Sequence, residues 1–525
     1  MTNKRSALIV SLLAGFSVAI IPAAAYSAEA WFGVDLPEKR EQRSDRHRAA
    51  YQSPDFAPLS LRLSPTEDAY VDIDGSEVHQ YIAEIIAITK AERPAGEKFW
   101  GRIAGSEAER ATAEYVADKF REFGLSAVQT EPVIGKEQWW PLNWSVNLIG
   151  SPAYGAGTED YAFRSAFPAL QLGTGALQID ELEAELVYVG LGQPVDLLDR
   201  DLAGKIAVMR AEFMPDPFFQ TGRGRAEELV GAGAAGVIIV VDAPGNHQYA
   251  LEESGSPHAP CFILGGDDGR FLEEVLAAAG AAEKPKMRIG INSEIRESWQ
   301  GKNAVGFIPG QTDEYLIILA HLDGYFESAN DNAGGLASML ALARFFAGAE
   351  KLQRTLVFVA TSAHHEFSDG ARAFIAAHPD ILGNTALVFN IEHPSSINSY
   401  YRGPLAVGRG TLPGQLMVTT SQGERSVTIS NGNQKLMSLY QEGIDRYGMV
   451  VGAKMERRPN GDAFDFFRAG KIVVQILDAN LWFHSSGDQL ETIHENGLER
   501  ATRLYAFLLD NIDQVSLDEL SQRNP

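Results

Sequence analysis

The chain has 525 residues, with 45 Lys or Arg against 69 Asp or Glu, for a net charge of −24. A surface of that sign repels phosphate backbones and argues against nucleic acid as a partner. The length is too great for one core, so two or three domains are expected, and the single cysteine, Cys261, excludes any intramolecular disulfide.

Lys4 and Arg5 precede an apolar segment from Ala7 to Ile21 that ends in Pro22-Ala-Ala-Ala25. That is the layout of an export signal with a small-residue cleavage site. Cleavage is expected after Ala25, with Ala28 and Ala30 as further sites and an uncleaved anchor as the alternative reading. The apolar run is short for a full span. The mature protein is therefore expected in the periplasm or secreted, without stable membrane insertion. Residues 26–77 read as an N-terminal extension whose first part is rich in charge, Pro and Arg.

From Val78 to Leu125 the apolar residues fall at three- and four-residue spacing, first Tyr81, Ile82, Ile85, Ile86 and then Ala113, Val116, Ala117, Phe120, which predicts two helices. Between them lies the loop Arg102-Ile-Ala-Gly105-Ser106, and Gly124 is placed to end the second helix. Residues 78–164 are assigned to the first part of an α/β domain. Residues 165–298 read as a β-rich insert, with buried strands at 185–189, 205–209 and 235–241 and a helix starting near Arg225. This segment holds few candidate catalytic groups for its size and reads as an inserted module, not the catalytic core. Cys261 within it reads as a small buried hydrophobe.

Residues 299–525 return to alternating elements. Strands are expected at 315–320, 355–361, 386–391 and 472–477, and helices at 334–347, 369–377, 433–447 and 495–513. The fold class is α/β, a mostly parallel or mixed sheet with helices on both faces, and ligand sites of such sheets lie beyond the carboxyl ends of the strands. Seven of the eleven histidines lie between 321 and 494, and His321, His364, His365 and His393 fall at predicted strand ends.

The run Leu316-Ile-Ile-Leu-Ala-His321-Leu-Asp323 carries the chemistry. A buried strand that ends in His-x-Asp offers a neutral imidazole and a carboxylate, the ligand types of hydrolytic Zn²⁺, on a rigid support. Asp323 is placed to orient His321 from outside the ligand shell. Asp331, in Asn330-Asp331-Asn332-Ala-Gly-Gly335, reads either as a helix N-cap or as a carboxylate shared between cations. Glu392 ends an apolar strand, and His484 sits in an aromatic loop, Leu481-Trp-Phe-His484-Ser-Ser-Gly-Asp488, where Asp488 could equally cap a turn. His378 is expected near helix-end carbonyls, and His494 reads as a surface or packing residue.

These motifs resemble the co-catalytic zinc peptidases of metallopeptidase family twenty-eight, which include bacterial aminopeptidases and glutamate carboxypeptidase. The resembling version carries a protease-associated insert domain, here expected at 165–298. The resemblance implies an exported peptidase acting on a small peptide or amide substrate with one or two zinc ions. It implies His321, Asp331, Glu392 and His484 as metal ligands, Asp331 bridging, with Asp323 orienting His321. Asp462 in Gly461-Asp462-Ala463 resembles the family's Ser-Asp-His with both neighbours changed. One departure concerns the consecutive glutamates that supply the family's base and one ligand: here His364 and His365 occupy those positions, with Glu366 next. His365 is favoured over Glu366 as the ligand, and the proton acceptor stays open between His364 and Glu366. The same departure motivates the alternative of a non-catalytic relative acting as a binding or scaffold protein.

Overall fold

The computed structural model describes residues 69–523 except for 152–158, 171–174, 213–223, 244, 280–283, 403–404, 408–409, 413–414, 423–424, 450, 457 and 479–481. The export-signal reading and most of the N-terminal extension lie outside the described residues. Among these, no helix is long and apolar enough to cross a membrane.

In chain order the principal elements are α1 (Gly75–Ala91), α2 (Glu107–Glu122), β1 (Ser126–Gly135), β2 (Gln138–Leu148), β3 (Gln178–Tyr188), β4 (Ile206–Glu212) and α3 (Arg225–Gly231). Then come β5 (Gly236–Asp242), β6 (Cys261–Leu264), α4 (Gly266–Ala278), β7 (Lys286–Arg296), β8 (Trp299–Ile308), β9 (Tyr315–His321), α5 (Gly335–Gly348) and β10 (Thr355–Thr361). The chain closes with α6 (Asp369–Ala377), β11 (Thr385–Ile391), β12 (Arg425–Ile429), α7 (Gln434–Tyr447), β13 (Val451–Glu456), α8 (Asp462–Arg468), β14 (Val473–Asp478) and α9 (Glu495–Asp513).

Local chemistry starts the helices where the pattern predicts them. Asp74 accepts from Ser76 N ahead of α1, and Ser106 accepts from Glu109 N ahead of α2, each satisfying an amide that has no partner inside its helix. Gly124, at φ 86°, ends the second helix as expected.

The larger role falls to a mixed eight-stranded sheet in the order β1-β8-β10-β9-β11-β14-β12-β13. Its centre is parallel: β9 pairs with β10 and β11, and β11 with β14. The edges are antiparallel where β1 meets β8 and β8 meets β10. Strand β9 is buried on both sides, so its alternate residues enter two cores. Leu316, Ile318 and Ala320 pack toward α1, α2, α5, α7 and α9, while Ile317 and Leu319 pack toward α6 and α8.

A second eight-stranded sheet lies between β1 and β8 in the chain. Its antiparallel part is β2, β7 and β3, and its parallel part is β3, β4, β5 and β6. The chain crosses into it at Gln138, well before the compositional change at 165. The reason is that Gln138–Leu148 is a tryptophan-rich strand with an irregular burial pattern that gives no clean alternation. Cys261 is buried in β6, as expected of a small hydrophobe. Aromatic packing joins this sheet to the segment between α1 and α2, where Phe99 meets Trp140 at 4.8 Å, and to the loop after β9, where Phe326 meets Phe167 at 5.2 Å between ring centroids.

That loop is also held from behind by Arg102, fully buried. Its Nε donates to Leu322 O at 2.8 Å, Nη1 to Thr89 Oγ1 and Glu327 O at 3.0 Å, and Nη2 to Ser328 O at 3.0 Å. Lysine cannot reproduce this fork. Arg102→Lys is expected to lower the free energy of unfolding by about 3 kcal/mol, since buried carbonyls lose their donors. Urea unfolding checks this, and a loss under about 1 kcal/mol would mean the clamp is dispensable.

Candidate metal centre

Four loops meet beyond the carboxyl ends of β9, β10, β11 and β14. His321 is the last residue of β9 and is buried. Its Nδ1 lies 3.0 Å from the backbone oxygen of Asp323 and 3.7 Å from the Asp323 carboxylate. That carboxylate mainly does something else: its two oxygens accept the backbone amides of His364 and His365, both at 2.9 Å. Asp323 therefore fastens the turn after β10 to the end of β9. Burial alone would raise its pKa, but the contact with His321 and the nearby imidazoles outweigh this and hold it well below the usual carboxylate range.

Asp331 lies in a turn at Ala329–Gly334 and does not cap α5, whose N-cap is Gly334. The N-cap reading is thus replaced. Asp488 accepts the backbone amides of Asn330 at 2.9 Å and Asp331 at 3.0 Å, so the acid of the His484 loop holds the Asp331 turn in place. Asn332 ties the same turn to β11, donating to Ile391 O and accepting from His393 N.

Three imidazoles surround the Asp331 carboxylate. Oδ1 is 3.3 Å from His321 Nε2 and 2.8 Å from His393 Nε2, and Oδ2 is 3.2 Å from His484 Nε2. Burial would push Asp331 up, but the imidazoles, His393 foremost, hold it well below the usual range. His393 was absent from the ligand set read from the sequence. Its only signal was its position one residue past Glu392: successive residues at a strand end face opposite sides, and here it is His393 that turns to Asp331.

Glu392 sits beside His321 and His364, its ligand atom within 4.8 Å of theirs. Its carboxylate accepts from Asn390 Nδ2 at 2.9 Å and Gln475 Nε2 at 3.2 Å, and lies 3.8 Å from His364 Nδ1. His364 stacks on His321, with ring centroids 4.0 Å apart, and its Nδ1 is 3.5 Å from Asp462. Burial and His321 push His364 down, yet Asp462 and Glu392 outweigh them and raise it to about 9.

The changed neighbour of Asp462 has a steric reason. Gly461 has φ 58° and ψ −142°, a conformation open to glycine, and a Cβ there would collide with the His364 ring. The histidine at 364 and the glycine at 461 fit each other.

His365 turns the other way. Its Nδ1 is 2.8 Å from Glu252 Oε1, and its ring centroid is 4.7 Å from that of His484. Glu252 comes from the loop between β5 and β6 of the second sheet, so a segment that holds few candidate catalytic groups still brings one carboxylate to the site. Nothing in the sequence around Glu252 marks it, because its place depends on how two sheets pack. That loop is joined to the His484 loop by a bridge between Tyr249 and Ser485 and by Ala250 N donating to His484 O at 2.8 Å. Glu366 accepts from Gln138 Nε2 at 3.1 Å, and burial raises its carboxyl to about 8.

The His378 ring pairs with Glu131 at 2.7 Å, where helix-end carbonyls were expected, and His494 is the half-buried N-cap of α9, accepting from Gly497 N.

Among the described residues, ligand atoms in each of three groups lie within 4.8 Å of one another: His321, Asp331 and His393; Glu252, His365 and His484; and His321, His364 and Glu392. The Nε2 atoms of His321, His365 and His484 are buried without a hydrogen-bond partner. Such atoms are costly unless something else satisfies them. One carboxylate cannot neutralise three imidazolium ions, whereas a divalent cation uses the lone pairs of neutral imidazoles and of the carboxylate together. The residues therefore fit a metal.

Comparison with known proteins agrees. Residues 303–509 match the profile of peptidase family M28. The alkaline phosphatase isozyme conversion protein of Escherichia coli (strain K12) is 29% identical over 163 residues, a match covering 25% of this chain and 46% of that protein, so under half of the relative's length is spanned. Among solved structures, an M28 peptidase precursor from Shewanella amazonensis SB2B superposes with a TM-score of 0.64 at 16% identity, covering 86% of this chain and 97% of its own. BSAP, a zinc aminopeptidase from Bacillus subtilis, gives 0.59 at 17% identity over 85% and 98%. The aminopeptidase from Aneurinibacillus sp. strain AM-1 gives 0.55 at 20% identity over 84% and 95%. Identities this low speak to the fold, and the profile match shows similarity to peptidase family M28 over residues 303–509.

Proposed function

We propose that this protein is an exported, zinc-dependent exopeptidase that hydrolyses the amide bonds of small peptides. The observation that carries this reading is the division of Asp331 between two sets of imidazoles, His321 and His393 on Oδ1 and His484 on Oδ2. A carboxylate so placed is suited to bridge two adjacent cations. Neutral imidazoles with carboxylates favour zinc over magnesium or calcium. His321, His393 and Asp331 would hold one ion, and Asp331, His484 and His365 the other.

When bound, zinc supplies Lewis acidity and brings the pKa of a water to about 7. The protein's own share is the proton. The Glu366 carboxylate is engaged by Gln138, whereas His364 stacks on His321 with ring centroids 4.0 Å apart. His364 lies between Asp462 and Glu392, whose charges favour the imidazolium formed when it accepts one. His364 is therefore the proposed acceptor, with Asp462 orienting it and Asp323 holding its backbone.

The test is elemental analysis and chelation. Purified protein is expected to contain zinc, to hydrolyse small peptides, and to lose activity on treatment with a chelator and regain it with Zn²⁺. Full activity in metal-free protein would reject the reading.

A second reading, a binding protein with this fold and no turnover, is favoured by the histidines at 364 and 365, where the resembling family has two glutamates. Its test is the pair of substitutions argued below.

A further inference from the structure

Resting on the zinc reading above, we propose that Glu252, supplied by the second sheet, is a ligand of the second zinc ion, restoring the carboxylate that His365 displaces. Three observations carry the assignment. Ligand atoms of Glu252, His365 and His484 lie within 4.8 Å of one another, a spread that small side-chain adjustments bring to a common ion with bonds of about 2.0–2.2 Å. The Nε2 atoms of His365 and His484 are buried without hydrogen-bond partners, although the side chains around them are close-packed. A plain Glu252–His365 ion pair accounts for one nitrogen, His365 Nδ1, and leaves His365 Nε2 without a partner, while His484 Nε2 faces Asp331 Oδ2 at 3.2 Å without a well-formed hydrogen bond.

The third observation is how the acid is held. Glu252 follows a backbone bridge between Tyr249 and Ser485 and the hydrogen bond from Ala250 N to His484 O, so it and His484 are fixed on one short ladder across the two sheets. Tyr325 donates from its hydroxyl to Glu252 Oε1 at 3.3 Å, which sets the carboxylate's direction. This is the outer support that metal-binding carboxylates commonly have. Charge points the same way. A divalent ion held by two neutral imidazoles and a share of Asp331 keeps net positive charge in a buried place, and Glu252 offsets it.

The experiment is a zinc titration of the full chain with a competing chelator, together with elemental analysis, on wild type and Glu252→Gln. Circular dichroism of the zinc-free proteins checks folding. Wild type is expected to hold two ions, and the variant to hold one at unchanged affinity and the other at least about fiftyfold more weakly, in the range set by loss of a ligand-shell group. Two ions of equal affinity in both proteins would overturn the Glu252 assignment alone. A single ion in wild type would overturn it as well, and no ion would overturn the zinc reading with it. If the variant misfolds or loses both ions, anomalous diffraction from zinc-loaded wild-type crystals decides. An ion within about 2.5 Å of a Glu252 oxygen supports the assignment, and an ion on His484 with Glu252 out of bonding range overturns it.

Discussion

Asp331→Asn is expected to reduce kcat/KM by on the order of 10³-fold, the equivalent of about 4 kcal/mol of lost transition-state stabilisation. The substitution keeps the shape of the side chain and removes the one charge shared by His321, His393 and His484. An amide offers one neutral oxygen, so it cannot bridge two cations, and each imidazole group is left to hold an ion without its carboxylate. Zinc content is expected to fall in parallel with rate, and added Zn²⁺ should restore little. The variant's turn should persist, because Asp488 grips the backbone amides of residues 330 and 331 irrespective of the side chain. Near-normal zinc content with near-normal turnover in this variant would remove Asp331 from the centre of the mechanism.

The second large effect separates the two candidates for the proton. His364→Ala is expected to lower kcat by about 10²- to 10⁴-fold with little change in zinc content, the usual loss when a positioned acid–base group is removed. Glu366→Gln is expected to stay within about threefold, because a carboxyl group engaged by Gln138 is closely mimicked by an amide. Gly461→Ser provides an independent route to the same place. The new Cβ would collide with the His364 ring, and the backbone there, at φ 58°, tolerates side chains poorly. This variant should therefore reproduce much of the His364→Ala loss while every ligand stays intact. Equal turnover in all three variants and wild type would favour the binding-protein reading, and a deficit confined to Glu366→Gln would exchange the two roles.

Much of the main sheet was legible because its strands are buried on both faces. Leu316–Ala320, Leu356–Ala360 and Ala386–Phe389 are unbroken apolar runs, and a run of that kind that ends in a polar residue marks the carboxyl edge of a parallel sheet. His321, Glu392 and the turn after β10 could be found from that edge. The direction each side chain takes could not. Whether Glu392 or His393 faces Asp331 depends on the dihedral angles of two residues past the strand, and His393 adopts φ 46° to make the turn. Asp323 was expected to orient His321 and is found bonding chiefly to two amides, which required knowing where the 364–365 backbone passes. Glu252 was beyond reach for a different reason. It sits in a loop with no periodicity, and only the packing of aromatic rings such as Phe99 on Trp140 and Phe167 on Phe326 brings that loop to the site.

The aromatic seam between the sheets has a consequence for how the molecule assembles. Glu252 joins residues 321, 331, 365 and 484 only after both β-layers have formed and docked, so the full set exists in neither layer alone. Part of the affinity for a divalent ion is then drawn from the closure of the two layers, and occupancy feeds back on how often they part.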